Sequence, residues 1–311
     1  VEYIIMKFME NTKINFMAFK SFGFAFSSVL AIGSIIVLLT GVNLGIDFKG
    51  GTAVGVSFSE EISIQEVRTS LKSVSVDNKV YDLSSEEIKY FGDKNDVMIK
   101  IKSLDNEPEN FGQIVINHLY DSLKEKAPAD KNEFILSLGS VSPKVGSELS
   151  GKALWSVISA LVLILFYISV RFEFKFALGA ILALVHDVVI TLGVFSLTGY
   201  EITLSTVAAF LTIVGYSLND TIVILDRIRE NMKSSGTVMF ESTINKSINQ
   251  SLSRTLITSL TTLLVIMVLL LFGGEVIQPF SFTMLVGVII GTYSSIYIAS
   301  ALLAYIYQTS K

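Results

Sequence analysis

The residues able to do chemistry in this chain are few, and they sit where they are most costly to keep. Asn219 and Asp220 fall inside a long apolar run, within the stretch GYSLNDTIVILDRIREN of residues 215–231. A charged side chain at the centre of a membrane helix costs about 3 kcal/mol on insertion scales. A chain keeps such a residue when it faces protein or water and has a task there. Arg254 lies early in the next apolar run, and His186 with Asp187 interrupts another. A nearby cation favours an ionised carboxylate, while burial favours a protonated one. A carboxylate poised between the two can take a proton on one side and release it on the other, which is the chemistry of a proton relay. Histidine titrates near neutrality and can pass protons as well. The competing reading is structural. Asn219, Asp220 and the His186–Asp187 pair would then only bond neighbouring helices, and Arg254 would snorkel to the interface. Asp226, together with Arg227, Arg229 and Glu230, reads as interfacial charge that ends its helix.

These residues need helices to carry them, and the hydropathy supplies six. Apolar runs cover residues 22–42, 153–170, 176–197, 202–225, 253–272 and 281–307. About 20 residues suffice to span a bilayer. The first run is longer than the apolar part of a signal peptide, and no convincing small-x-small site follows it. An uncleaved span is therefore expected. At 1.5 Å per helical residue, His186 and Asp187 lie near the middle of the third span. Asp220 and Arg254 fall at similar depth in neighbouring helices. Gly287 and Gly291 form a GxxxG strip continued by Ser294, Ser295 and Ala299, which predicts close helix contacts. The segment at about 228–250 is polar and reads as an amphipathic connection along the membrane surface, with Ile244 and Ile248 dipping inward.

Composition agrees. The 311 residues are 51% hydrophobic and 17% charged, and the net charge is −4. Mean hydropathy is +0.60, a value for a membrane protein. The absence of cysteine excludes disulfides and thiolate metal sites. No GxxxxGK[ST] loop suggests nucleotide hydrolysis, and no basic stripe with aromatics suggests nucleic acid. No residue cluster has metal-ligand spacing, no nucleophile–base pair is evident, and no cofactor is expected.

Between the first two spans the chain changes character. It opens with GIDFKGGT, residues 45–52, where Gly45, Gly50 and Gly51 crowd around Asp47. Either a plain turn or a close backbone approach explains them. Val54, Val56 and Phe58 then alternate as in a strand. Ser63 and Glu66 form a capping box before a helix. A short strand near Val80 follows, then Val97, Ile99 and Ile101 alternate. Phe111, Val115, Leu119 and Leu123 make a helical stripe, with His118 beside it in a structural role. Phe134, Leu136 and Leu138 alternate last. The order βαββαβ predicts a ferredoxin-like α+β sandwich.

Lysine and arginine set the expected orientation. Lys7, Lys13 and Lys20, the turn with Arg171 and Lys175, and the connection with Arg227, Arg229, Lys233 and Lys246 fall on one side. The turns around Tyr200–Glu201 and residues 273–279 carry neither residue. Both termini are thus expected in the cytoplasm and the sandwich outside. The expected division is 1–21 cytoplasmic, 22–42 first span, 43–150 extracytoplasmic domain and 151–311 spans two to six.

Taken together, GIDFKGGT, VSPKVGSEL, RFEFKFALGAILALVHDVVITLG, GYSLNDTIVILDRIREN, SRTLITSLTTLL and FSFTMLVGVIIGTYSSIYIASAL resemble the bacterial SecF family. Ser142 departs from its pattern, which has glycine there. The resemblance implies a multi-pass protein of the bacterial cytoplasmic (inner) membrane. It would form half of a twelve-helix, RND-type unit with SecD and assist SecYEG and SecA. The unit would use the proton-motive force to promote translocation of preproteins. The resemblance further implies proton passage at Asp220 and Arg254, and coupling of the first span to the outer domain through the GIDFKGG segment, with Asp47 a candidate. The alternatives are half of a proton-driven RND-type exporter of small molecules, and a scaffold whose charges serve only assembly.

Overall fold

The computed structural model describes residues 12–76, 79–104, 108, 110–235 and 240–309. Among these, six helices are long and apolar enough to cross a membrane: Phe16–Leu39, Pro143–Arg171, Phe174–Leu197, Leu204–Lys233, Phe240–Phe272 and Val276–Tyr307. The second starts cleanly because Ser142 Oγ accepts the Val145 N–H at 3.4 Å and Pro143 needs no amide partner there. Ser142 is thus the cap of this helix.

The spans divide into two classes. The third, fourth and sixth bury 50%, 44% and 56% of their apolar stretch, against 17%, 6% and 17% for the first, second and fifth. The three buried helices form the core, and most of the intramembrane polar residues lie on or against them. Glycine lets the sixth span approach the fourth closely. A Cβ on Gly287 would lie 2.3 Å from Ile213 Cδ1, and one on Gly291 2.9 Å from Ser217 Cβ. The sixth span is not a uniform helix. It runs α-helical over Gly274–Ser294, widens into a π-turn at Ser295–Ala299, and resumes at Ser300–Thr309. Such π-turns often mark functional sites.

Two expectations about the helices change. The polar segment that begins the fifth span does not lie along a surface as a separate element. It is continuous with that span in one helix, Phe240–Phe272. Ile244 and Ile248 do point inward, against Phe16, Met17, Ile228 and Leu303. The polar side chains find partners in the chain's start: the Ile14 and Met17 N–H groups donate to Asn249 and Asn245, each at 2.9 Å. Nor does the charge around Asp226 end the fourth span. That helix runs to Ser235, because Asp226–Arg229 and Arg227–Glu230 pair along it, both at 2.8 Å.

The domain between the first two spans is a four-stranded antiparallel sheet backed by helices. Its strands are β1 (Gly51–Ser57), β4 (Glu87–Phe91), β5 (Asp93–Lys102) and β6 (Ile135–Val141), in the order β4-β5-β1-β6. This is the ferredoxin-like arrangement. Val54, Val56, Val97, Ile99 and Ile101 pack on Val67, Leu71, Phe111, Val115 and Leu119 from the helices Ile64–Ser70 and Phe111–Ser122. Ser63 Oγ caps the first of these by accepting the Glu66 N–H at 3.2 Å. His118 Nε2 bonds the Ser70 carbonyl at 2.9 Å and ties the two helices together.

The strand near Val80 belongs elsewhere. β2 (Val74–Val76) and β3 (Lys79–Tyr81) form a separate ribbon, and β4 holds the sheet's edge. Strand β6 falls where the alternation put it, yet Leu136 and Leu138 are 43% and 46% exposed. Phe134, just before it, is the residue that enters the core.

Candidate functional site

Two carboxylates lie inside the helix core. Asp187 of the third span is fully buried. His186 Nδ1 lies 2.9 Å from its Oδ1, while Ser217 and Ser294 donate hydroxyls to its Oδ2 at 2.6 and 2.7 Å. Three helices thus meet at one carboxylate. His186 Nε2 is buried without a hydrogen-bond partner among the described residues. The small residues around it let the helices come close enough for these bonds, since Gly291 sits against Ser217 and the π-turn begins one residue after Ser294.

Asp220 sits one turn further along the fourth span from Ser217 and is 3% exposed. Its partners are looser. Ser259 Oγ donates to Oδ2 at 3.2 Å, and Thr258 Oγ1 lies 3.5 Å from Oδ1. Ser259 also shares a 2.7 Å bond with Thr292 of the sixth span. Beside it, Thr221 and Ser295 share a bond of 2.8 Å. All these partners are hydroxyls, each able to donate or to accept.

Arg254 comes near this group without joining it. It lies one turn before Thr258 on the same helix, is exposed, and makes no ion pair with Asp220 within 4.0 Å. Asn219 is exposed on the other face of its helix and makes no side-chain hydrogen bond among the described residues. Asp226 bonds Arg229 well away from Asp220. The structure therefore brings Asp220 to the helix that carries Arg254, and Asp187 to His186, and leaves Asn219 and Asp226 outside both groups.

A second constellation sits where the sheet domain meets the spans. Asp47 Oδ2 accepts the Leu204 N–H at 2.9 Å, so it caps the fourth span from another part of the chain. The Gly45 N–H donates to the Ile202 carbonyl at 2.9 Å, and the Ile202 N–H to the Asn43 carbonyl at 2.7 Å. On the other side, Gly50 and Gly51 have φ of +79° and +146°. A Cβ on Gly50 would lie 2.8 Å from Pro143, at the start of the second span. One on Gly51 would lie 2.3 Å from the Ile101 carbonyl of β5. These glycines are there for close approach and positive φ together. Residues 43–51 thus clamp the fourth span, the second span and the sheet to one another.

Residues 121–309 match the family described as "Protein export membrane protein SecD/SecF, C-terminal", and residues 35–61 match the "SecD/SecF GG Motif". The chain belongs to the SecD/SecF family. It is 42% identical to the protein translocase subunit SecF of Calditerrivibrio nitroreducens, over 97% of this chain and 96% of that one. It is 38% identical to the SecF of Escherichia coli O157:H7, over 97% of this chain and 90% of that one. The crystal structure of SecDF from Thermus thermophilus, a translocon-associated membrane protein, superposes with a TM-score of 0.80 at 36% identity. That match covers 96% of this chain and 39% of the SecDF chain. A SecDF structure in a super-membrane-facing form gives a TM-score of 0.68 at 35% identity.

The glycine clamp is therefore the part of the fold where this family's GG motif falls. What sequence reasoning missed are the hydroxyls around the carboxylates: Ser217, Thr258, Ser259 and Thr292. A signal was available. Serines and threonines recur within a turn of each intramembrane charge, in GYSLND and in SRTLITS. Ser294, one of the small residues of the packing strip, is also a carboxylate donor.

Proposed function

We propose that this chain is an auxiliary subunit of the Sec protein-export machinery. It pairs with a SecD-like partner in a bacterial inner membrane, with both termini in the cytoplasm and the sheet domain outside. The pair assists the SecYEG channel and SecA by using the proton-motive force to promote preprotein translocation. Asp220 is the proton-carrying group, with Arg254 as the cation beside its path and His186–Asp187 as the neighbouring polar group. The small-molecule exporter alternative draws no support from the relatives described above, which are translocase subunits by name.

The observation that carries the reading is a carboxylate buried in a spanning helix and bonded, among the described residues, only to hydroxyls. Hydroxyls can rotate from donating to accepting, so they accommodate Asp220 ionised or protonated with little movement of heavy atoms. One elementary charge crossing 100 mV releases about 2.3 kcal/mol, enough to shift a two-state equilibrium near fifty-fold. Transmission follows from connectivity. Asp220 lies about 24 Å along a continuous helix from Leu204, whose amide is held by Asp47 of the clamp. A shift of the fourth span is passed through residues 43–51 into β1.

The test is secretion in cells lacking the native protein, rescued by this chain carrying Asp220→Asn. Membrane level and partner assembly are measured alongside. Normal assembly with failed secretion, matching the failure caused by collapsing the proton gradient, supports the reading. Full rescue overturns it.

A further inference from the structure

The sheet domain also touches the membrane part through a set of charges outside the clamp. Lys100 of β5 lies 3.0 Å from Glu201, in the turn between the third and fourth spans, and 3.8 Å from Glu87 of β4. Lys89 approaches Glu87 at 2.6 Å. Glu87 and Glu201 thus meet at the Lys100 ammonium group. These groups line a cleft of about 250 Å³ between sheet and spans, closed further by Tyr90, Met98 and Pro279. The Glu87, Lys100 and Glu201 side chains are only 23%, 27% and 20% exposed, so the cleft is half-dry but reachable by water.

We propose that Glu87 and Glu201 hold one proton between them, taken from the outer solution, and that this proton fastens the sheet domain to the membrane part. The crowding of carboxyls supports it. The groups facing the cleft are Glu87 and Lys89 from β4, Lys100 from β5, Glu201 from the turn and Asp47 from the clamp. Asp47 is engaged by the Leu204 N–H, while Glu87 and Glu201 both approach the one Lys100 ammonium, at 3.8 and 3.0 Å. A single shared proton turns this repulsive carboxylate pair into a hydrogen bond. The proton comes from water and returns to water, so nothing else is consumed.

The direction of the pH response follows. In the docked form burial and the bond to Glu87 hold the Glu201 carboxyl above its ordinary range. Burial pushes the Glu87 carboxyl the same way, but Lys89, Glu201 and Lys100 outweigh it and hold Glu87 below its range. Lifting the domain exposes both to water. The docked form therefore binds the shared proton more tightly, and its advantage is lost as pH rises through the raised Glu201 value. Acid strong enough to protonate Glu87 also loosens its contacts to the two lysines. Docking is firmest between the two titrations, and deprotonation frees the domain.

The chain has no cysteine, so spin labels can be placed cleanly at Glu60→Cys in the domain and Leu197→Cys at the end of the third span. Both positions are exposed. Distances are measured by electron–electron resonance on the full chain in lipid nanodiscs across a pH series. The docked-to-undocked ratio falls by up to about tenfold per pH unit between the ordinary glutamate range and the raised Glu201 value, and levels off above it. Glu201→Gln, whose amide donates permanently to Glu87, stays docked at alkaline pH. Glu87→Gln, which supplies the amide from the other side, does the same. A distance distribution unchanged by pH in the unmodified pair overturns the proposal, as does either glutamine variant responding like its parent. The proposal rests on the export reading only for which solution supplies the proton. The measurement needs neither secretion nor a gradient, so its failure leaves the Asp220 test untouched.

Discussion

Asp187 and Asp220 lie on adjacent helices at the heart of one bundle, and both are buried. They are held in different ways. Asp187 has three donors at 2.6, 2.7 and 2.9 Å, drawn from the third, fourth and sixth spans. Asp220 has two, at 3.2 and 3.5 Å, both from the fifth. Short bonds from three directions fix a carboxylate and the helices that donate to it. Long bonds from rotatable hydroxyls leave a carboxylate able to change state. Under the proposed function, the difference would assign different work to two residues of the same type: Asp187 would pin the core, and Asp220 would carry the proton.

Changing one residue at a time can break that contrast. The largest effect is expected outside both groups, at the clamp of residues 43–51. Gly51→Val drives a side chain into the Ile101 carbonyl at a φ that suits glycine. It should cost about 3 kcal/mol or more, read as a large fall in thermal midpoint. Next comes Ser217→Ala. It leaves Asp187 with one of its close hydroxyl donors missing, and should cost about 1–3 kcal/mol in thermal unfolding. Ser259→Ala removes a long bond to Asp220 and the bond shared with Thr292, whose hydroxyl still donates to the Val288 carbonyl; it should cost less than Ser217→Ala in the same assay, while reducing secretion more. If the two serines change places in that ranking, the division of labour fails. Asp47→Ala removes the cap on Leu204 and should cost about 1 kcal/mol, whereas Asp47→Asn keeps it. Asn219→Ala should change stability by less than about 0.5 kcal/mol, because its side chain is exposed and unbonded among the described residues.

Much of this was legible in the residues. Six apolar runs give the six helices, and alternation at Val54–Val56 and Val97–Ile101 gives the two central strands. Strand β4 stayed hidden because in Glu87–Phe91 only Ile88 is fully buried, so no alternating apolar stripe shows. The start of the fifth span read as a surface element because its asparagines look solvated. They are instead satisfied by the backbone of residues 14–17, a contact between residues more than 200 positions apart. The two aspartates were conspicuous, but their different roles were not. Whether a carboxylate is held tightly depends on which hydroxyls of other helices face it, and spacing within one helix does not fix that. The Asp47 cap was hidden for the same reason: donor and acceptor are 157 residues apart.

The most direct test of the central claim is proton flux through this chain reconstituted with its SecD-like partner in liposomes under an imposed gradient. The account predicts measurable uptake by the unmodified complex. It predicts a fall to the leak of empty vesicles with Asp220→Asn, in a complex that still assembles. Uptake by the Asp220→Asn complex at the unmodified rate would contradict it.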